Sequence, residues 1–328
     1  MRLASFIEVD GAAAPVRVGV VTDERIHPFD DALTMREVVE RGLPYALAAG
    51  DAALARRGLP LDGVRLLAPL EPASVRDFVA FAEHVEGVRR SIDGASGVPD
   101  AWYDAPTFYF TNPHRIFGPG DDIAFPAHSI ARDFELEVAV VVAERGTSLT
   151  VEDAAAHVFG YTLFNDWSAR DLQGREMQVS LGPAKGKDFA TSIGPWIVTA
   201  DELAPYRDDD GFLDLWCTVL VNGVEVGRDL LSNSGWTFEA MIAYASRDSA
   251  VVPGDLLGSG TVGNGGCLAE LWGRHGRQEP PPLRDGDTVT ITVEHLGALT
   301  NRVTSAPPVP PIPPPRRRDP ARARGADA

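Results

Sequence analysis

The sequence predicts a protein of the α+β class, in which a β-rich body carries a small number of helices. Segments rich in β-branched and aromatic residues recur and are bounded by turn residues, as in 159–166 and 288–293. Asn222-Gly223, between two such segments, is typical of a β-hairpin turn. The chain has 328 residues, 44% of them hydrophobic, which is enough to bury a large core.

The first 66 residues predict a small N-terminal accessory domain in which no chemical motif is recognisable. Residues 16–22 predict a strand, and residues 35–41 followed by Gly42 predict a short helix with a glycine stop. Turn residues from Pro60 to Pro72 predict a boundary before the next segment, Val75 to Arg90.

Asp77 and His84 lie in that segment, seven residues apart. On one continuous helix they would share a face. A single histidine is more often a structural residue, but this one accompanies several carboxylates and arginines, so His84 is a candidate functional residue.

The centre of the sequence runs from Asp133 to Lys187. Glu135 and Glu137 open an apolar segment, and the two-residue period of a strand places them on one side of a sheet. Two like charges this close raise one of the two pKa values unless a cation lies between them. The start of this strand is therefore either solvated or binds a metal.

A third carboxylate, Asp166, ends the next predicted strand. Ser168 followed by Asp171 has the form of a capping box, which predicts that a helix begins there. Arg170 and Gln173 would share one face of that helix, and we expect the face to look back toward Asp166.

Only two of the 30 basic residues are lysines, Lys185 and Lys187. In a chain that uses arginine everywhere else, a retained lysine suggests a need for a compact ammonium group. We interpret Lys185 as an exposed loop residue retained by chance and Lys187 as the functional candidate.

The C-terminal part continues the antiparallel β-rich body through residues 192–226 and predicts a helix at 236–245. A glycine-dense loop at 254–266 would let backbone N–H groups approach an anionic group, although it matches neither nucleotide-binding glycine motif. Residues 305–328 are rich in proline and arginine and predict a disordered tail.

Composition excludes several classes of protein. Asp and Glu exceed Lys and Arg by 47 to 30, a net charge of −17, which argues against nucleic-acid and anionic-membrane partners. Cys217 and Cys267 lack the spacing of a thiolate zinc site, so a metal would be held by oxygen. Acidic residues occur within the first ten positions, before an apolar signal-peptide core could form, and no later segment is long and apolar enough for a membrane helix. We therefore predict a cytoplasmic protein.

Several motifs, in order along the chain, resemble those of the fumarylacetoacetate hydrolase family. They are Asp77-Phe78 with His84, Asp133-Phe134-Glu135-Leu136-Glu137, Asn165-Asp166-Trp167-Ser168-Ala169-Arg170-Asp171-Leu172-Gln173, Gly186-Lys187-Asp188-Phe189, Gly260-Thr261 and Leu268-Ala269-Glu270-Leu271. The resemblance covers residues 70–303, which it implies form the catalytic domain. The string from Asn165 to Asp171 is long and specific.

The resemblance implies a mixed β-roll core of the fumarylacetoacetase C-terminal type, a homodimer, and a divalent cation, Mg²⁺ or alternatively Mn²⁺ or Ca²⁺. It implies Glu135, Glu137 and Asp166 as metal ligands, with Asp77 as the fourth. Carboxylates are the ligands that hard cations prefer.

In the hydrolase branch, the resemblance implies that His84 acts as general base on water and is oriented by Glu270, with Glu83 and Glu86 as alternative partners. The residues implied to contact the substrate are Lys187, Arg170, Gln173 and Thr261. Lys187 would also stabilise developing negative charge.

The implied activity is hydrolysis of a carbon–carbon bond in an acylpyruvate or fumarylacetoacetate-like diketo acid, within aromatic catabolism. Two alternatives stay open. The same scaffold could support a keto-acid isomerase, hydratase, dehydratase or decarboxylase, or the carboxylates could hold Ca²⁺ in a non-catalytic structural protein.

Overall fold

The structure is a computed structural model that describes residues 1–9, 14–30, 32–94 and 96–317, with the side chains of all of these except residues 92 and 93. In chain order its strands are β1 (Arg2–Glu8), β2 (Arg17–Val21), β3 (Arg25–Pro28), β4 (Leu59–Pro60), β5 (Val64–Leu66), β6 (Val75–Phe78), β7 (Phe108–Thr111), β8 (Ile116–Phe117), β9 (Asp122–Phe125), β10 (Arg132–Asp133), β11 (Leu136–Val142), β12 (Val158–Asp166), β13 (Ser168–Ala169), β14 (Thr191–Thr199), β15 (Trp216–Val221), β16 (Val224–Leu230), β17 (Leu256–Gly258), β18 (Thr288–Val293) and β19 (Gly297–Ser305). Its helices are α1 (Met35–Glu40), α2 (Leu43–Leu54), α3 (Ala82–Asp93), α4 (Val151–Ala154), α5 (Arg170–Met177), α6 (Ala200–Leu203), α7 (Phe238–Ser246) and α8 (Leu268–His275).

The strands of the described residues form two large sheets and one short ribbon. The largest sheet has the order β4-β3-β2-β1-β14-β12-β11-β17-β6-β7, with β5 beside β1 and β8 beside β14. The second has the order β16-β15-β18-β19-β9, and β10 pairs with β13. Most neighbours are antiparallel, whereas β6–β17, β8–β14 and β9–β19 are parallel. The α+β class and the mixed β core are therefore confirmed.

Two hydrophobic cores lie on opposite faces of the largest sheet. Val138 and Val140 of β11 belong to the core shared with Ile291 of the second sheet. Val141, one residue out of phase, belongs to the core shared with Val38 of α1. The two-residue period of β11 thus sorts its side chains as expected, and every residue of the strand is buried.

The first strands of the chain belong to the same sheet as the main body. Arg2 and Leu3 of β1 lie opposite Val198 and Ile197 of β14. The division into domains at residue 66 stays a prediction.

Several local predictions are confirmed. The predicted helix at 35–41 is α1, whose Thr34 forms a capping box with Glu37. The hairpin turn between β15 and β16 has Asn222 and Gly223 at φ values of 52° and 78°, as a type I′ turn requires. The predicted helix at 236–245 is α7, which begins after Thr237.

Two helix predictions are wrong in their starting points. Residues 75–90 are not one helix, because Val75–Phe78 pairs with β17 and β7 as strand β6 and α3 begins only at Ala82. The predicted capping box does not form either. Ser168 pairs with Asp133 in the β10–β13 ribbon, and α5 begins at Arg170 with no side-chain cap among the described residues.

The end of the chain departs slightly from the predicted tail. Ser305 ends β19, and residues 306–317 carry no helix or strand, while the predicted tail residues 318–328 lie outside the described residues. In the part of the chain that the structure describes, no helix is both long enough and apolar enough to cross a bilayer.

Candidate active site

The candidate site lies on five neighbouring strands of the largest sheet, β12-β11-β17-β6-β7. Asp77 of β6 lies opposite Gly258 of β17 on one side and Tyr109 of β7 on the other. A Cβ atom on Gly258 would lie 2.8 Å from Asp77 Oδ1 and 2.9 Å from Glu137 Oε2. Glycine at this position therefore leaves the space in which two carboxylates approach each other.

The predicted metal ligands are brought together. One carboxylate oxygen from each of Asp77, Glu135 and Glu137 lies within 4.8 Å of the others, and all three residues are buried. Asp166 joins them through Lys187, whose ammonium lies 2.5 Å from Asp166 Oδ2 and also contacts Glu135 Oε2. We call these four acids the carboxylate cluster.

The carboxylate cluster fits a hard divalent cation. Asp77 Oδ1, Glu137 Oε1 and Asp166 Oδ1 are buried and have no hydrogen-bond partner among the described residues. A buried carboxylate oxygen without a partner is costly, and an oxygen-ligated cation removes that cost. Mg²⁺, Mn²⁺ and Ca²⁺ all accept such a donor set.

The pKa shifts in the cluster run in two directions. Burial raises the pKa of Asp77 well above its ordinary value, and the nearby charge of Asp166 raises it further. Burial also raises the pKa of Glu137 well above its ordinary value, and there the charge of Asp77 adds to the effect. Burial alone would also raise the pKa of Glu135, but Lys187 and Arg170 hold it well below its usual range. Without a metal, Glu135 therefore loses its proton most readily, whereas Asp77 and Glu137 keep theirs to higher pH than an ordinary carboxyl group does.

These shifts predict that metal affinity rises with pH. Because both raised carboxyl groups keep their protons above the ordinary values of 3.8 and 4.5, an ion must displace those protons to bind. Calorimetric titration with Mn²⁺ in two buffers of different ionisation enthalpy should show proton release and tighter binding between about pH 5 and about pH 8. Equal affinity across this range, with no proton release, would contradict the prediction.

Lys185 lies on the surface, as interpreted from the sequence, whereas Lys187 is buried beside the carboxylate cluster. Burial would lower the pKa of Lys187, but Asp166 and Glu135 raise it above its ordinary value, so the ammonium stays charged. The Lys185 side chain is 73% exposed and pairs with Asp188 on the surface.

Arg170 and Gln173 share a helix face, as predicted. The guanidinium of Arg170 contacts Asp133 and Glu135, each at 2.8 Å, and its Nη1 donates to Gln173 Oε1 at 3.1 Å. Both residues therefore border the cluster from α5.

Asp133 is a site residue that the sequence reasoning did not assign. Besides Arg170, its carboxylate accepts the backbone N–H groups of Leu268 at 2.7 Å and Ala269 at 3.0 Å. It therefore fixes the start of α8 against the cluster. Its only sequence signal was its position at the head of the motif that contains Glu135 and Glu137.

Tyr109 is the second residue that was missed, because its aromatic segment was interpreted as core packing. Its hydroxyl donates to Asp166 Oδ2. Burial, followed by the charge of Asp166, raises the pKa of Tyr109 well above its ordinary value, so the phenol stays a proton donor.

His84 lies in the first turn of α3, beside the cluster. Its Nε2 is 3.9 Å from Glu135 Oε1, and the ring is buried. Burial lowers the pKa of His84 to about 4, which leaves the imidazole neutral near pH 7 and able to accept a proton.

Glu270 does not contact His84 in the structure. Its carboxylate pairs with Arg274 at 2.6 Å and accepts the backbone N–H of Gly265. Within the described residues, no hydrogen bond or ion pair joins His84 to Glu270 or to the alternatives, Glu83 and Glu86. Burial raises the pKa of Glu270 to about 7. Its role as partner of His84 stays a prediction.

Thr261 is buried in the glycine-dense loop. The backbone N–H of Gly260 donates to Glu137 Oε2 at 2.9 Å, so this loop does approach an anionic group, which belongs to the protein itself. Gly260 has φ +80°, and a Cβ there would lie 2.6 Å from the Phe78 carbonyl oxygen. Glycine is therefore required for the loop to reach the cluster.

Two cavities are lined by candidate site residues, and Val88 of α3 lines both of them. One, of about 880 Å³, is lined by Arg170 and Gln173, and the other, of about 330 Å³, is lined by His84, Arg89 and several apolar residues.

The chain resembles known proteins over most of its length. Residues 73–304 match the family model described as fumarylacetoacetate (FAA) hydrolase C-terminal. Protein Rv2993c from Mycobacterium tuberculosis is 32% identical over 304 residues, which cover 92% of this chain and 98% of that protein.

Solved structures with the same fold include enzymes of two reaction types. Fumarylacetoacetate hydrolase from Exiguobacterium antarcticum superposes with a TM-score of 0.71 at 26% identity, over 93% of this chain and all of that one. A 5-carboxymethyl-2-hydroxymuconate delta-isomerase from Mycobacterium smegmatis gives a TM-score of 0.66 at 26% identity, with the same coverage. The β-rich fold of the chain thus has counterparts among solved enzyme structures.

Proposed function

The chain belongs to the fumarylacetoacetate hydrolase family, and from this premise we propose that it is a metal-dependent hydrolase of a carbon–carbon bond in an acylpyruvate-like diketo acid. The observation that carries this proposal is the buried carboxylate cluster with unpaired oxygens, placed directly beside the neutral imidazole of His84. A purely structural Ca²⁺ site would need neither this base nor the buried Lys187.

Asp77, Glu135, Glu137 and Asp166 would hold the ion, with Mg²⁺ or Mn²⁺ as the first candidates. When bound, a divalent ion supplies a Lewis acid that polarises the keto oxygens of the substrate.

The surrounding residues supply the proton transfer and the positive charge. His84 accepts a proton from water, which attacks the acyl carbonyl carbon, and the carbon–carbon bond breaks with its electron pair passing to the pyruvate fragment. That fragment then takes up the proton, which yields pyruvate and a carboxylic acid. Lys187 has three N–H donors, two of which face Glu135 and Asp166, so one is left for the substrate oxygen.

Arg170 and Gln173 would orient the substrate carboxylate from the larger cavity. Because Asp133, Glu135 and Gln173 already engage the Arg170 guanidinium, Arg170 would contribute mainly its positive charge, and Gln173 would contribute the N–H groups of its side-chain amide. Thr261, buried in the loop that contacts Glu137, is proposed to contribute a further contact to the substrate.

The direct test is turnover of a simple acylpyruvate with and without Mg²⁺. Loss of the diketone absorbance, formation of two acids by NMR, and abolition by a chelator are the expected results. An isomerase, favoured by the similarity to the delta-isomerase, would keep the carbon skeleton intact, and a decarboxylase would release carbon dioxide. Tight Ca²⁺ binding without turnover of any keto acid would favour the structural alternative.

The cavity beside His84 predicts the character of the acyl arm. Its walls are mostly apolar, and Arg89 is the cation among its lining residues. Arg89→Gln should raise KM about tenfold for an acylpyruvate whose arm ends in a carboxylate, because a hydrogen bond to a charged group contributes about 1.5–3 kcal/mol. KM for an arm of equal length that ends in a methyl group should not change.

Arg90→Gln is the matched control for this prediction. Arg90 lies next in sequence, pairs with Glu86 at 2.7 Å and does not line the cavity. Equal effects of the two variants, or equal effects on the two substrates, would contradict the role assigned to Arg89.

The predicted homodimer is a separate proposal that sedimentation analysis would test.

A further inference from the structure

We propose that Cys267 is a positioning residue that binds His84 through Nδ1 and thereby directs the free lone pair of Nε2 toward the carboxylate cluster. This inference rests on the general-base role proposed for His84. It assigns to a thiol the orienting role that the sequence motifs suggest for Glu270.

The two nitrogens of the imidazole face different surroundings. Nε2 lies 3.9 Å from Glu135 Oε1, on the side of the cluster. Nδ1 lies 3.6 Å from the Sγ atom of Cys267, within the range of a hydrogen bond to sulfur. In the described part of the chain, Cys267 is the hydrogen-bonding partner of Nδ1.

The sulfur atom is held in place by the start of α8. Cys267 is the residue that caps this helix, and its Sγ accepts the backbone N–H of Glu270 at 3.4 Å. Asp133 accepts the N–H groups of the next two residues, so the same helix end is fixed to the cluster on its other side. Cys267 is completely buried, so its sulfur contacts Nδ1 away from bulk solvent.

Close packing of α3 against α8 brings the ring to the sulfur. A Cβ on Gly87, one turn after His84, would lie 2.4 Å from Glu270 Cγ. A Cβ on Gly273 would lie 2.0 Å from the carbonyl oxygen of Gly87. The two glycines let the helix backbones approach, so the His84 ring is held by the helix interface and not by a mobile surface partner.

The general-base role requires one tautomer of the neutral imidazole, and Cys267 can support it because a neutral thiol can accept a hydrogen bond from Nδ1 as well as donate one to it. A neutral ring carries one N–H, and when Nδ1–H donates to Sγ the lone pair on Nε2 is free to accept a proton from water. Burial raises the pKa of Cys267 well above its ordinary value, so the sulfur is a neutral acceptor near pH 7. The opposite tautomer would direct an N–H toward the cluster and leave no base there.

The tautomer can be measured without any metal or substrate. Long-range ¹H–¹⁵N correlation spectra of the ¹⁵N-histidine-labelled, metal-free protein distinguish the two forms, and a His84→Asn sample assigns the signal among the seven histidines. We expect the Nδ1–H form in the wild type and in Cys267→Ser, and a mixture or the Nε2–H form in Cys267→Ala. Cys267→Val keeps the buried volume without the acceptor and serves if the alanine variant does not fold.

Turnover gives the second readout. Cys267→Ala should lower kcat at least about tenfold with KM little changed, as is typical when a residue that orients a functional histidine is removed, and Cys267→Ser should restore most of the loss. Cys217→Ser is the matched control. That cysteine is also fully buried, but its Sγ–H donates to the Leu215 carbonyl oxygen and not to His84, so neither readout should change.

An Nε2–H tautomer in the wild type, or wild-type kcat and tautomer in Cys267→Ala and Cys267→Val, would overturn the inference. If the wild type hydrolyses no diketo acid, the proposed function fails, whereas the tautomer measurement still decides the role of Cys267.

Discussion

Replacing His84 with asparagine should lower kcat by about 10²–10⁴-fold, the usual contribution of a general base, without weakening metal binding. The variant keeps a polar side chain of similar size in the buried site but removes the proton acceptor. Nε2 lies 3.9 Å from Glu135 Oε1, so His84 borders the carboxylate cluster and does not belong to the set of carboxylate oxygens that would bind the ion. Metal affinity should therefore survive.

Steady-state turnover of an acylpyruvate and calorimetric titration with Mn²⁺ measure the two quantities separately. His114→Asn is the control, because His114 is exposed and lies in a loop outside the cluster. Loss of metal binding in His84→Asn would assign the imidazole to the ion instead of to proton transfer, and an unchanged kcat would remove it from the mechanism.

The short-range part of the site follows from the sequence. The two-residue period of extended backbone puts Glu135, which directly precedes β11, and Glu137 of β11 on one side. The three-residue spacing of Arg170 and Gln173 puts these two on one face of α5. Retention of Lys187 in a chain that otherwise uses arginine pointed to a need for a compact ammonium group, and the structure buries that group beside Glu135. Each of these predictions depends only on residues close together in sequence.

The rest depends on pairing between distant segments. Tyr109 reaches Asp166 only because β7 lies beside β6 in the sheet, and Asp133 caps α8 across 135 residues of chain. The sheet also overrides local helix signals, since residues 75–78 pair with β17 instead of extending α3. No local pattern reports such pairings, which is why Cys267 was judged only for disulfide and zinc chemistry before its contact with His84 was seen.

Replacing Lys187 with methionine should destabilise the metal-free protein by about 3–5 kcal/mol, the usual cost of removing one partner from a buried ion pair. The Lys187 side chain is only 3% exposed and contacts both Glu135 and Asp166, so its loss leaves buried Asp166 without a cation and leaves Glu135 with Arg170 alone. Lys185→Met should change stability by no more than about 0.5 kcal/mol, because Lys185 is exposed. Urea unfolding in the presence of a chelator measures both.

The same unfolding experiment with Mg²⁺ tests whether Lys187 and the proposed ion neutralise the same charges. Both are cations beside Glu135 and Asp166, so a bound ion should offset part of the charge left by Lys187→Met and stabilise this variant more than the wild type. Equal stabilisation of the two proteins would mean that the ion does not neutralise the carboxylates that Lys187 contacts. A variant as stable as the wild type without metal would show that those carboxylates take up protons when the ammonium is removed. In either case Lys187 would keep only its proposed contact with the substrate oxygen.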